Sequence, residues 1–166
     1  LSGGPQGGRD AFVRTLPMAH KVGPRKKDRH VGMFYFIQLG SREPDIGNAH
    51  DIEKIMLHTR EAIGDPTHPV WEKGPYHWGE PMFGYYRHDD EWVIARHAAM
   101  LTMAEIDFIV FDTTNNSMHK ETAMTVMKVF SRFHEAGWQV PKVAFYTNTR
   151  SGERVQQIYE AIYQTG

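Results

Sequence analysis

Cysteine is absent from all 166 residues. Disulfides, thiolate zinc centres and cysteine nucleophiles are therefore excluded, although the compartment stays undecided. Charge of one sign is lacking too. Nineteen basic residues face 20 acidic ones, a formal net charge of -1, so no global field draws the chain to nucleic acid or an anionic membrane. The one basic cluster, Pro24 to Arg29, reads as a solvated lead-in. No apolar run approaches the length of a membrane span. Gly-x-Ser-x-Gly, Gly-x-Gly-x-x-Gly, phosphate-loop and His-Glu-x-x-His patterns are all missing. That removes the nucleophile elbow, the dinucleotide fingerprint and the zinc helix. Leu1 is not preceded by methionine, and no signal-peptide pattern follows it; the expectation is a piece of a longer protein, cut at both ends.

What is present is three hydrophobic runs rich in β-branched and aromatic residues: Val31 to Gly40, Asp107 to Asn115 and Lys142 to Asn148. Each closes on a polar cluster and reads as a strand. Helical patterns occupy the intervals. Asp89, Asp90 and Glu91 place negative charge where a helix start favours it. Val93, Ile94, His97, Leu101 and Ala104 then share one face. The next helix opens after Asn116 and Ser117, buries Ala123, Val126, Met127, Phe130 and Phe133, and stops at Gly137. A last helix begins near Ser151 and presents Val155, Ile158, Tyr159 and Ile162 on one side.

Strand and helix alternating three times predicts right-handed crossovers and a parallel α/β sheet. In such sheets function collects at the carboxyl ends of the strands. That selects Asp112, Thr114, Asn115, Tyr146, Thr147 and Asn148. Three parallel strands alone would leave an edge and part of a face uncovered. The preferred architecture is therefore the N-terminal portion, the first three βα units, of a (β/α)8 TIM-type barrel, a fold of roughly 250 residues. A small three-stranded α/β domain is the plainer alternative. Residues 1–29 form a Gly-rich, basic, partly disordered lead-in, and 30–166 the partial barrel, with a long inserted loop and helix at 40–88.

That insertion follows the first strand, so it projects from the face where barrel enzymes hold substrate. One helix is expected in it, from Asp51 to Ile63, with Ile52, Ile55, Met56 and Ala62 on one side and the rest irregular. His77, Trp78, Glu80 and Tyr86 combine flat rings with hydrogen-bonding tips. Such groups can stack on the apolar face of a sugar and hold its hydroxyls. A satellite core beneath the loop is the other reading of the same rings.

The stretch Glu80 to Asp90, then Ile94, His97 and Ile106 to Asp112, resembles the early part of glycoside hydrolase family 99 and its relatives. There a Gly-x-Tyr-x-Ser-x-Asp segment precedes a helix with an inward His and a buried Ile-Asp strand. The chain is more closely similar to bacterial glycoside-hydrolase-like proteins carrying Val-Gly-x-Phe-Tyr-Phe, His-x-Trp-Gly-Glu-Pro and Phe-Asp-x-Thr-Asn. Here those motifs are Val31 to Phe36, His77 to Pro81 without the intervening residue, and Phe111 to Asn115. The resemblance runs from about Asp28 onward. It departs at Gln38, where relatives carry tryptophan, at Glu105, where they tend to carry glycine, and after the second strand, where family 99 has tryptophans. It implies a barrel acting on poly- or oligosaccharide, secreted or periplasmic in a bacterium, with the main catalytic carboxylates on strands after the third.

Hydrolysis of a glycosidic bond generally uses two groups flanking it. Asp112 and Glu80 are the catalytic candidates within this chain; His77, Trp78, Tyr86, Asn115, Tyr146 and Asn148 are the substrate-binding candidates. For Asp112, sugar contact and structural hydrogen bonding compete with direct catalysis. The ten histidines include no His-x-His pair, and no metal or cofactor is expected. His97 reads as a hydrogen-bonded core histidine, and His88 and His119 as solvated residues beside helix starts. The leading function is a polysaccharide glycoside hydrolase fragment supplying part of a sugar cleft. A non-catalytic carbohydrate-binding barrel is the main alternative, and a metal-dependent hydrolase a third.

Overall fold

The computed structural model describes residues 12–24, 26–37, 50–65, 67–71, 77–78, 81–114 and 117–164, with backbone alone at 19, 50–54, 77 and 78. A four-residue helix α1, Ala19–Val22, lies in the exposed lead-in. Three strands, β1 (Gly32–Phe34), β4 (Phe108–Asp112) and β5 (Lys142–Tyr146), form one parallel sheet in the order β1-β4-β5. Two further strands, β2 (His50–Asp51) and β3 (His77–Trp78), pair with each other in parallel. The molecule is thus mixed α/β with a three-stranded parallel sheet.

Alternation explains the central strand. Ile109 and Phe111 are 0 % exposed, whereas Phe108, Val110 and Asp112 on the other face are only partly buried. The buried pair packs against α3 (Glu91–Met103) and α4 (Lys120–Glu135) through Ile94, Ala98, Ala123, Val126, Val129 and Phe130. Truncating Phe111 to alanine in such a core costs about 3–5 kcal/mol. The start of α3 and the end of α4 fall where the sequence predicts, whereas α4 begins only at Lys120, behind His119. Asp90 caps α3, its carboxylate accepting from Trp92 N and Val93 N. Gly137, with φ of 88°, takes the left-handed turn after α4 that a side chain would strain.

Several expectations need correction. The first strand is shorter than its hydrophobic run, although Tyr35 N still donates to Val110 O beyond its end; Gln38 to Gly40 lie outside the described residues. The helix of the insertion, α2 (Ile52–His58), breaks at Thr59 and continues as 3-10 turns over Arg60–Gly64 and Pro69–Trp71. Ile55 and Ala62 are buried there, but Met56 is not. Ala104 is the exposed C-cap of α3 rather than part of its buried face. The last helix, α5 (Ser151–Ile158), widens into a π-helical turn over Tyr159–Tyr163. It buries Ile158, while Val155 and Tyr159 are exposed.

Candidate functional site

Asp112 and Tyr146 are register partners at the carboxyl ends of adjacent strands. Sheet pleating puts them on one face together with Phe34, Val110 and Ala144, opposite the helix-packed Ile109 and Phe111. Aromatic rings cover this face. Phe34 stacks on Phe36 with centroids 5.9 Å apart and meets the Tyr146 ring edge-on at 5.7 Å. All three remain open: Phe34 is 49 %, Phe36 50 % and Tyr146 47 % exposed. One face of the sheet is therefore a packed core and the other a half-exposed aromatic platform ending in a carboxylate.

The carboxylate is held in place. Thr114 N–H and Oγ1–H both donate to Asp112 Oδ1, at 2.9 and 2.7 Å, a local turn typical of aspartate. Thr113 reaches the other way: its N–H and hydroxyl both donate to Tyr146 O, at 3.0 and 2.8 Å. These bonds extend the β4–β5 pairing past Asp112 and fix the rim. Asn148 is exposed just beyond β5, and its carbonyl accepts from Ser151 Oγ at the start of α5.

A cavity of about 250 Å³ lies beside β1, lined by Phe34, Phe36, Tyr86, His88, Ile94 and His97 among others. Alternate side chains just beyond β1 contribute in both directions, since Tyr35 and Ile37 line it as well. On its wall Tyr35 Oη and His97 Nδ1 share a hydrogen bond of 2.8 Å, and the Tyr86 ring meets His97 edge-on at 5.9 Å. His97 is thus the hydrogen-bonded histidine that its helical position predicts. Burial pushes the Tyr35 phenol well above its ordinary value, with Tyr86 adding to the effect. It raises the Tyr86 phenol and lowers the His97 imidazole.

The entry to α3 shapes this wall. Arg87 Nε and Nη2 donate to Asp89 Oδ1 and Oδ2, each at 2.9 Å. This fork-on-fork bond holds the Asp89 carboxyl below the usual carboxylate range. Alternate residues of the same segment, Tyr86 and His88, line the cavity instead. His88 is not simply solvated: its Nδ1 is shielded and has no hydrogen-bond partner among the described residues. The alternation in Tyr86-Arg87-His88-Asp89 is the sequence signal that could have found it.

Of the predicted site residues, the fold therefore brings Asp112 and Tyr146 together, sets Asn148 just beyond them and puts Tyr86 on the cavity wall. The backbone of His77 and Trp78 forms β3. Their side chains, and all of Glu80 and Asn115, lie outside the described residues. No group of three or more His, Asp or Glu among the described residues could hold a metal ion. No described helix is long and apolar enough to cross a membrane. No family model, no curated protein and no solved structure matches the chain.

Proposed function

We propose that the chain is one wall of a carbohydrate-active (β/α) barrel, part of a secreted polysaccharide glycoside hydrolase whose principal acid and base lie on later strands. The single observation behind this reading is the aromatic platform of Phe34, Phe36 and Tyr146 that leads to Asp112. Parallel sheets are normally covered on both faces. Here the helices cover one, and the other carries rings suited to sugar stacking with a carboxylate at the strand ends. Strand order that follows the chain without reversal, with open edges at β1 and β5 among the described residues, is compatible with the barrel.

Within this reading Asp112 holds a sugar hydroxyl or orients a neighbouring group. Its bonds to Thr114 favour a positioned acceptor over a group that must give up and regain a proton. Affinity electrophoresis through gels containing soluble polysaccharides tests the proposal. The chain should be retarded by at least one of them without hydrolysing it, and Phe36→Ala or Tyr146→Ala should abolish the retardation. Free migration through every polysaccharide would refute a carbohydrate role.

A further inference from the structure

One flank of α5 carries charge that the fold does not balance. Arg150, Glu153, Arg154 and Gln157 follow one another at helical spacing and line a cavity of about 380 Å³. Arg150 stands four residues beyond Tyr146, the register partner of Asp112. This flank therefore begins at the carboxyl edge of the sheet, where Asn148 O accepts from Ser151 Oγ.

Among the described residues of the lining, two guanidiniums share one carboxylate. Arg150 takes it: its Nη2 lies 2.9 Å from Glu153 Oε1 and 2.7 Å from Oε2. Arg154 has only a neutral partner, Nη1 donating to Gln157 Oε1 at 2.6 Å. No carboxylate of the described residues lies within ion-pair distance of it. Arg154 is nevertheless half-buried, one turn before the buried Ile158. The imbalance is local to this one side chain.

A guanidinium partly withdrawn from water is stabilised most by an oxyanion that accepts its planar fork. Nε and Nη2 of Arg154 are left to form that fork, and the Gln157 amide adds N–H donors beside it. Access is direct, since the Arg150 and Glu153 side chains are 64 % and 60 % exposed. Ligand sites run from about 300 to about 1,000 Å³, and this one, at about 380 Å³, has room for a single charged sugar ring.

We infer that the cavity lined by Arg150, Glu153, Arg154 and Gln157 is an oxyanion subsite for the charged substituent of an acidic polysaccharide, with Arg154 as its principal contact. The carboxylate of a uronic acid and a sulfate ester both offer the paired oxygens that the fork takes. The sugar class rests on the carbohydrate reading above; the location and the sign of the charge rest on Arg154 and its partners. The subsite selects acidic chains over neutral ones, a specificity that the Asp112 rim does not impose.

Proton–nitrogen NMR of the arginine Nε–Hε groups tests this in the 166-residue chain. The probes are a uronic-acid trisaccharide, a sulfated trisaccharide, a neutral trisaccharide, sodium sulfate and a short DNA duplex. At least one acidic trisaccharide should shift the Arg154 signal and bind about tenfold more tightly than the neutral one. Which of the two does so identifies the anion. Raising salt from about 50 to about 300 mM should weaken that binding severalfold, because the contact lies near the surface. Arg154→Gln should lose about tenfold in affinity at an unchanged melting temperature, since it breaks no ion pair. Arg154→Lys keeps the charge without the fork and should fall between the two; it carries the test if the glutamine variant does not fold. Equal binding of the neutral trisaccharide overturns the subsite, as does acidic binding that survives Arg154→Gln. Sodium sulfate or DNA binding as tightly as the acidic sugars overturns the sugar class. Silence of Arg154 toward every probe overturns the subsite alone if a polysaccharide still retards the chain in gels, and the carbohydrate reading falls with it if none does.

Discussion

Tyr35 Oη lies 2.8 Å from His97 Nδ1, which ties the end of the first strand to the middle of α3. The bond joins a phenol whose pKa is raised to an imidazole whose pKa is lowered, burial being the first cause of both. Both partners are uncharged at neutral pH. Tyr35→Phe removes the hydroxyl and leaves His97 Nδ1 in a half-buried site without its partner. Chemical denaturation should show a loss of about 1–3 kcal/mol.

Acid should expose the same pair. His97 in the unfolded chain takes up its proton near the ordinary value of 6.5, and in the folded chain only at lower pH. Between the two values the unfolded state binds more protons, so stability rises with pH there. The His97 contribution is complete above about pH 6.5 and is lost as pH falls through the folded value. Thermal melts between about pH 7.5 and about pH 5 should show this decline. It should be shallower in His97→Asn, which can keep a bond to Tyr35 without titrating. Equal slopes in the two proteins would contradict the assignment.

Glu105 sits just past α3 with φ of 54°, in the left-handed region. A non-glycine residue there costs roughly 1–2 kcal/mol relative to the right-handed region. Glu105→Gly should stabilise the protein by about 1 kcal/mol, after allowing for glycine's greater freedom when unfolded. A destabilised glycine variant in urea titration would show that the Glu105 side chain matters more than its backbone strain.

Asp90 offers the opposite case. Its Oδ1 accepts from two backbone amides at the first turn of α3. Asp90→Ala should cost about 1 kcal/mol, and Asp90→Ser only a few tenths, by urea denaturation.

These local features explain which parts of the fold were legible in the chain. Asp90 and Gly137 mark helix ends by chemistry that acts over three or four residues, so α3 and α4 could be read directly. The strand from Phe108 alternates between buried and half-open residues, and its pairing with Lys142 to Tyr146 followed from two similar runs. The pairing of His50–Asp51 with His77–Trp78 was not legible, because two residues per strand carry no periodicity. His88 was missed for another reason. Its shielding depends on residues at the end of β1 and in α3, and its alternation with Arg87 and Asp89 is the one local hint of it. Val155 and Tyr159 were expected to be buried because helical spacing identifies a shared apolar face, not what packs against it.

The sheet edges give a residue-level test of the architecture. Tyr35 N bonds to Val110 O, and Lys142 N to Asp107 O. In parallel pairing, alternate residues bond to the same neighbour. The amides of Met33, Tyr35, Ala144 and Tyr146 therefore point inward, and those of Phe34, Val143 and Phe145 point off the open edges. Hydrogen exchange of this chain should be slow for the first set and fast for the second. Uniform protection along β5 would mean that another strand already covers it.

The most direct test of the central claim is the exchange footprint of a bound oligosaccharide, taken from whichever polysaccharide retards the chain. Protection should appear at residues 112–114 and 146–148, at the strand ends that carry Asp112 and Tyr146, and the outer surfaces of α3 and α4 should be unchanged. Protection confined to those helix surfaces, with the strand ends exchanging as before, would contradict the account.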